Sequence, residues 1–202
     1  MKTNRFILIT LFVCLLFKLP LLATLPLLLE GQIPDIDSVT GEVATTFIIL
    51  EVYKPNADDY KTLCNDPKIS VEEFNVLAYL SQKSSTLMTK IWKWRCMRLS
   101  WMNIIQRLNL DLDDVIPKSE KMCDEPYKLC YTYWREKGNP KKVFSLGDYN
   151  FEKICEVVTL SRYSGKPVDA TIESLNKESF RTLSVKYFKE KNKSKRGIKK
   201  QA

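Results

Sequence analysis

The longest helical pattern in the chain runs from Ser70 to about residue 110. Ser70 followed by Glu73 has the form of a capping box, in which each side chain accepts the other residue's backbone N–H. Apolar residues then recur at helical spacing, and neither Pro nor Gly interrupts them. The pattern predicts one long central helix, with the Ser84-Ser85 pair as the point where a break would fall. The stripe comprises Phe74, Leu77, Leu80, Leu87, Ile91, Trp94, Trp101, Ile105 and Leu108.

The segment Ala44–Tyr53 (ATTFIILEVY) carries a different pattern. Its residues are largely β-branched or aromatic, which favours a strand, but an apolar run of this length also suits a buried helix. Pro55 ends the element in either case. Two interpretations therefore stand, a short N-terminal strand and a buried helix.

The other elements are predicted to be helices as well. One covers residues 126–137, with a proline in its first turn and a glycine just beyond its end. Another begins near residue 148 behind capping residues, and one or two more are expected over residues 171–191. The chain is thus predicted to be all-α, a compact helical bundle in a domain that spans residues 32–188.

The chain begins with an apolar stretch that predicts export. Residues 6–17 (FILITLFVCLLF) follow a short cationic start, which is the pattern of a secretory signal peptide. Pro20 and Pro26 interrupt the apolar residues that follow, so no unbroken stretch reaches the roughly 20 residues that span a bilayer. We predict a signal peptide over residues 1–23, with cleavage as late as residue 31 as the alternative. An uncleaved N-terminal anchor with a lumenal domain is the second interpretation.

The net charge of +8 is unevenly distributed. Residues 1–31 carry +2 and residues 189–202 carry +6, whereas residues 32–188 hold 22 basic and 22 acidic side chains. The neutral domain argues against specific nucleic-acid binding. The tail over 189–202 is predicted to be a disordered basic arm that contacts polyanions.

The chain contains no histidine, which excludes several kinds of site. Ser–His–Asp and Cys–His nucleophiles and histidine-ligated zinc are ruled out. The cysteine spacings include no C-x-x-C pair, and the acidic segment Asp111–Asp114 lacks the glycine and glutamate of a calcium loop. We therefore expect no metal, no cofactor and no enzymatic activity.

Export makes the cysteines candidates for disulfides. Removal of the signal peptide leaves five of them, and an oxidising compartment favours two bridges plus one free or intermolecular thiol. A disulfide-linked or non-covalent dimer is then a further expectation. The spacing leaves the pairing open among Cys64, Cys96, Cys123, Cys130 and Cys155.

The stretch 90–101 (KIWKWRCMRLSW) places tryptophans among basic residues. Trp94 and Trp101 share the apolar stripe and are predicted to lie in the core. Trp92 points roughly 160° away from Trp94 on a helix, so Trp92 and Lys93 are candidates for an exposed binding surface. Arg98 falls inside the apolar stripe, where it would snorkel, pair with a buried carboxylate or mark an interface.

Two further sites are predicted from short motifs. Tyr131 and Tyr133 belong to an aromatic run on the helix over 126–137, and consecutive positions cannot all face the core, which makes them binding candidates. Asn192 begins the only N-x-S/T sequon and is therefore the candidate glycosylation site.

A family resemblance covers about 70 residues of the chain. The order Leu77-Ala78-Tyr79-Leu80, Met88 and Trp92, then Cys130-Tyr131-Thr132-Tyr133 with Lys137 and Pro140, resembles the gastropod sperm egg-lysin family. That resemblance implies a secreted, all-α, non-catalytic protein that binds egg-envelope glycoprotein through basic and aromatic surfaces. The neutral domain and the five cysteines depart from the family's pattern.

The observations together predict a secreted, non-enzymatic helical binding protein. Its expected partner is an extracellular glycoprotein or cell-surface receptor, with gamete recognition as the setting that the resemblance implies. A cytokine-like or venom-type ligand is the first alternative. A small secreted enzyme that uses carboxylate or thiol chemistry is the second.

Overall fold

A computed structural model describes residues 37–64, 66–139 and 145–199. These residues form ten α-helices and no strand, which confirms the predicted all-α class. The helices are α1 (Gly41–Tyr53), α2 (Ala57–Leu63), α3 (Val71–Ser84), α4 (Met88–Cys96), α5 (Trp101–Arg107), α6 (Leu112–Val115), α7 (Lys128–Glu136), α8 (Asp148–Ser164), α9 (Val168–Leu175) and α10 (Phe180–Lys199).

The segment that could have been a strand is the buried helix α1. The Oγ1 of Thr40 accepts the N–H of Val43 at its start, and the hydroxyl of Thr45 donates to the carbonyl of Gly41 at 2.7 Å. Helix α1 packs against α3, α8 and α10 at once, so apolar residues occupy most of its circumference. Ile49 joins one hydrophobic cluster and Ile48 another. Burial on several sides explains why the segment showed no helical period.

The apolar stripe of residues 70–110 belongs to three helices, so the prediction of one long helix is wrong. The capping box at the start of α3 and the break after Ser84 are confirmed, and Ser85 adopts φ 56°. A second break follows α4, where Arg98 adopts φ 62° and Ser100 caps α5. Asp59 of α2 accepts the N–H of Thr89 at 2.9 Å, which caps α4 from a distant part of the chain.

The core is built around α8, which contacts α1, α3 and α10. One side of α8 contributes Ile154 and Val158 to the larger cluster, and the other contributes Val157 and Leu160 to a second cluster with α9 and α10. A buried polar chain crosses the core. The Tyr53 hydroxyl lies 2.7 Å from Thr159 Oγ1, and the Thr159 hydroxyl donates a hydrogen bond to Asn75 Oδ1 at 2.7 Å.

The basic tail is helical where it is described, which corrects the prediction of disorder. Helix α10 continues to Lys199, and residues 200–202 lie outside the described part. Asn192 is only 3% exposed, and its Nδ2 donates to the carbonyl of Phe188 at 2.9 Å. The tail begins as helix because apolar residues such as Tyr187 and Phe188 anchor its preceding turns in the core.

The predicted signal peptide over residues 1–23, with cleavage as late as residue 31, lies outside the part of the chain that the structure describes, so it stays a prediction. Among the helices that the structure describes, none combines the length and the apolar character that crossing a bilayer requires.

Candidate binding surface

The segment from α3 to α5 concentrates positive charge. Residues 74–110 contain six basic side chains and no Asp or Glu. The neutral total of the domain concealed this segregation, and a charge count in shorter windows would have revealed it. Four of these basic side chains, Lys90, Lys93, Arg98 and Arg107, are exposed on or beside α4 and α5, although the domain as a whole is neutral.

Trp94 lies at the centre of this charge. Its half-buried ring packs against the larger hydrophobic cluster, with Lys90 Nζ 5.5 Å and Arg107 Cζ 5.2 Å from the ring centroid. The predicted burial of Trp101 is confirmed, since its side chain is completely buried, but Trp94 is not a full core residue. The Arg107 contact connects α5 to α4 across the turn between them, whereas the Lys90 contact lies within α4.

Lys93, Met97 and Arg98 complete the surface. Met97 is 63% exposed, and both Lys93 and Arg98 are exposed. Arg98 is not inside an apolar stripe, because the helix ends before it and its positive φ turns it outward. We call the set Lys90, Lys93, Trp94, Met97, Arg98 and Arg107 the cationic face. Within the described residues, none of its four cations forms an ion pair with a carboxylate.

Trp92 lies beside the cationic face but is held by the fold. Its Nε1–H donates to Asp66 Oδ2 at 2.9 Å, and its half-buried ring packs against the larger cluster. Trp92 therefore connects α4 to the loop before α3, and its exposure is partial. Of the two tryptophans of α4, Trp94 is the one that two cations flank.

Arg95 fixes the α4–α5 segment to the core. Its Nη1 is 2.6 Å from Asp148 Oδ2, its Nε is 3.6 Å from Glu73 Oε1, and its guanidinium lies 4.5 Å from the Trp101 ring centroid. The Nε1–H of Trp101 donates to Glu152 Oε1 at 3.2 Å. Burial raises the pKa of Glu152, against the opposing effects of Trp101 and Arg95. These contacts hold the cationic face in a defined orientation on α3 and α8.

The tyrosines of α7 form internal contacts. The Tyr133 hydroxyl donates to Asp113 Oδ1 at 2.6 Å, and burial together with that carboxylate raises the pKa of Tyr133 to about 12. The ammonium of Lys137 also bonds Asp113 and, with Tyr133, lowers the pKa of that carboxyl. The Tyr131 hydroxyl accepts from Arg135 at 3.0 Å. These bonds run to the 111–118 segment and within α7 rather than to α4 or α5.

The five described cysteines are all free thiols, which corrects the expectation of two disulfides. Cys64, Cys130 and Cys155 are buried in the larger hydrophobic cluster, where they behave as small apolar side chains. Burial raises the pKa of Cys130 to about 12 and holds that of Cys155 well above its usual range. Cys123 is partly buried, and Cys96 is exposed at the end of α4.

The predicted glycosylation site is not accessible in this fold. A glycan on Asn192 would replace a hydrogen of the buried Nδ2, which donates to a backbone carbonyl inside α10. Asn192 therefore serves the packing of the helix.

Neither a metal centre nor a known relative gives the surface a function. Within residues 37–64, 66–139 and 145–199, no three His, Cys, Asp or Glu side chains gather where they could hold a metal ion. Searches with protein-family models, curated proteins and solved structures find no match for this chain.

Proposed function

We propose that this protein is an exported, non-enzymatic binding protein whose cationic face holds an anionic extracellular glycoprotein. The observation that carries the proposal is the cationic face: among the described residues its four cations form no ion pair with a carboxylate, and two of them flank the half-buried Trp94. Exposed cations that form no ion pair with a carboxylate can exchange water for an external anion at low cost.

The chemistry favours a sulfated glycan as the contact. Guanidinium groups such as those of Arg98 and Arg107 form paired hydrogen bonds with sulfate and carboxylate oxygens. The Trp94 ring offers an apolar surface at the same place, and its flanking cations restrict its motion before binding. Each exposed contact contributes roughly 0.2–1 kcal/mol, so several must act together and the affinity must fall with salt.

The resemblance to sperm egg-lysins supports recognition of an egg-envelope glycoprotein as the biological setting. The cytokine-like or venom ligand and the secreted enzyme stay as the alternative predictions. Polyanion contact through the basic tail over residues 189–202 and dimer formation are likewise predictions, and both are measurable on the full chain.

The test measures binding of the full chain to immobilised heparan sulfate and to its desulfated form. Lys93→Ala with Arg98→Ala should weaken binding about tenfold, since the two contacts together are worth about 1.4 kcal/mol. The matched control is Lys118→Ala with Lys177→Ala, which removes the same charge from exposed positions outside the face. Equal losses in both double variants, or equal binding to the desulfated polymer, would contradict the proposal.

A further inference from the structure

A pocket of about 280 Å³ lies beside α8, between the loop before α7 and the turn that connects α9 to α10. Its volume is slightly below the usual range for ligand pockets, so only a small molecule would fit. The pocket combines aromatic and acidic residues. The aromatic residues are Tyr127, Tyr149 and Phe180, and the acidic residues are Glu125, Glu156 and Glu178.

Glu156 is the unusual member of this lining. Its side chain is 1% exposed, and its Oε1 accepts from the ammonium of Lys153 at 2.6 Å. Its buried Oε2 has no hydrogen-bond donor within the described residues. A buried carboxylate oxygen without a donor costs free energy, and native structures leave few such atoms unsatisfied. The unpaired oxygen therefore points to a donor that comes from outside the chain.

Lys153 shows that an ammonium can lie between the Glu156 carboxylate and the Tyr149 ring. Its ammonium contacts the Glu156 carboxylate and lies 5.6 Å from the ring centroid of Tyr149. One ammonium is thus held by a carboxylate and an aromatic ring, while the second oxygen of that carboxylate stays vacant. Tyr149 is 61% exposed, so most of its ring remains open to another molecule. Glu178 is committed elsewhere, because Lys186 donates to it at 3.1 Å.

We propose that this pocket binds a small primary amine, whose ammonium donates an N–H to Glu156 Oε2 and whose apolar body packs on Tyr149 and Phe180. A modest rotation of the carboxylate about its terminal bond turns Oε2 toward the ligand, and that torsion is broad in glutamate. A quaternary ammonium has no N–H, so it cannot satisfy this oxygen. The site is independent of the cationic face and requires no export or glycan partner.

The charges around Glu156 make the binding depend on pH. Burial raises the pKa of Glu156 to about 7, against the attraction of Lys153, and the carboxylates of Glu72 on α3 and Glu152 on α8 raise it further. Arg181 of α10 is the other cation within electrostatic reach, and Tyr127 is the neighbouring phenol. Since an ammonium prefers the ionised carboxylate, affinity should fall as the pH decreases below about 7.

In the experiment, phenethylamine and its N,N,N-trimethyl analogue are titrated separately into the full chain at pH 8 and at pH 5.5. Isothermal titration calorimetry measures the binding. We expect saturable binding of phenethylamine at pH 8 and at least about tenfold weaker binding of the trimethyl analogue, since a hydrogen bond to a charged group is worth about 1.5 kcal/mol or more. Binding at pH 5.5 should also be weaker than at pH 8. Glu156→Gln should lose about tenfold, whereas Glu120→Gln, which removes an exposed carboxylate outside the pocket, should change nothing.

Three results would overturn the proposal: no saturable binding at pH 8, equal binding of both amines, or unchanged affinity in a folded Glu156→Gln protein. If circular dichroism shows that Glu156→Gln does not fold, the Tyr149→Ala variant, changed at an exposed position, tests the amine site instead. It should weaken phenethylamine binding about threefold through the lost ring contact, and an unchanged affinity would count against the site.

Discussion

Arg95 of α4 and Asp148 at the start of α8 form an ion pair with 2.6 Å between Nη1 and Oδ2. The other oxygen of Asp148 accepts the backbone N–H of Trp101 at 2.8 Å. One carboxylate thus ties both helices of the cationic face to the central helix of the core. Arg95 is therefore paired, and its contacts hold in place the helices α4 and α5 that carry the cationic face.

Removal of that carboxylate should destabilise the fold. Asp148→Ala removes the shortest ion pair of the partly buried Arg95 guanidinium and the acceptor of the Trp101 N–H, so we expect a loss of about 2–3 kcal/mol in the free energy of unfolding. Asp148→Asn keeps an oxygen for the N–H and should lose about half as much. Urea denaturation followed by tryptophan fluorescence measures both, and equal stabilities of wild type and Asp148→Ala would refute the anchoring role.

Glu156 should make the free energy of unfolding decrease as the pH rises, whereas a salt-bridged acid would make it increase. Burial raises its pKa to about 7, so between about pH 4.5 and 7 the folded protein retains a proton that the unfolded chain releases. This contribution is present in full below about pH 4.5 and is lost as the pH rises through 7. Its upper limit is about 3 kcal/mol, because a tenfold change in acid dissociation is worth about 1.4 kcal/mol.

Urea melts at a series of pH values check this expectation. Glu156→Gln should flatten the decrease between pH 5 and 8, and Glu120→Gln should leave it unchanged. A wild-type stability that rises over that interval, with the same slope in Glu156→Gln, would show that other groups dominate.

The buried polar chain of Tyr53, Thr159 and Asn75 should tolerate substitution poorly. Thr159→Val keeps the volume but leaves two buried polar partners unsatisfied, for a cost of about 1–3 kcal/mol. Thr159→Ser keeps the hydroxyl and loses one methyl group, for about 1 kcal/mol. Thermal unfolding of the two variants separates these effects. A valine variant more stable than the serine variant would argue that packing matters more than the hydrogen bonds.

The free thiols should react in an order set by burial. A maleimide added to the native chain should label Cys96 first and Cys123 next, while Cys64, Cys130 and Cys155 react only in urea. Peptide mass spectrometry identifies the labelled sites, and Cys96→Ser is the control for the fast phase. Native protein with no label on any of these cysteines would indicate disulfides after all.

Local features could be predicted because they depend on neighbours in the chain. The Ser70–Glu73 capping box forms between residues three positions apart, and the Ser84–Ser85 break follows from a local turn. The sum of charges also identified the neutral domain, but a total over 157 residues could not reveal the carboxylate-free stretch around α4. The break near Arg98 was missed because the apolar spacing continues across it.

The features on which the proposals rest depend on distant contacts. Glu152, Lys153 and Glu156 look like solvated charges on one helix, and only the packing of α8 against α3 and α10 makes Glu156 a buried acid beside a pocket. Asn192 begins a glycosylation sequon in the sequence, but packing of the helix buries its side chain. The sequence alone determined the helical class, because helical periodicity and capping are local. Tertiary structure decided which charges are paired, buried or free, because desolvation and pairing depend on residues far apart in the chain.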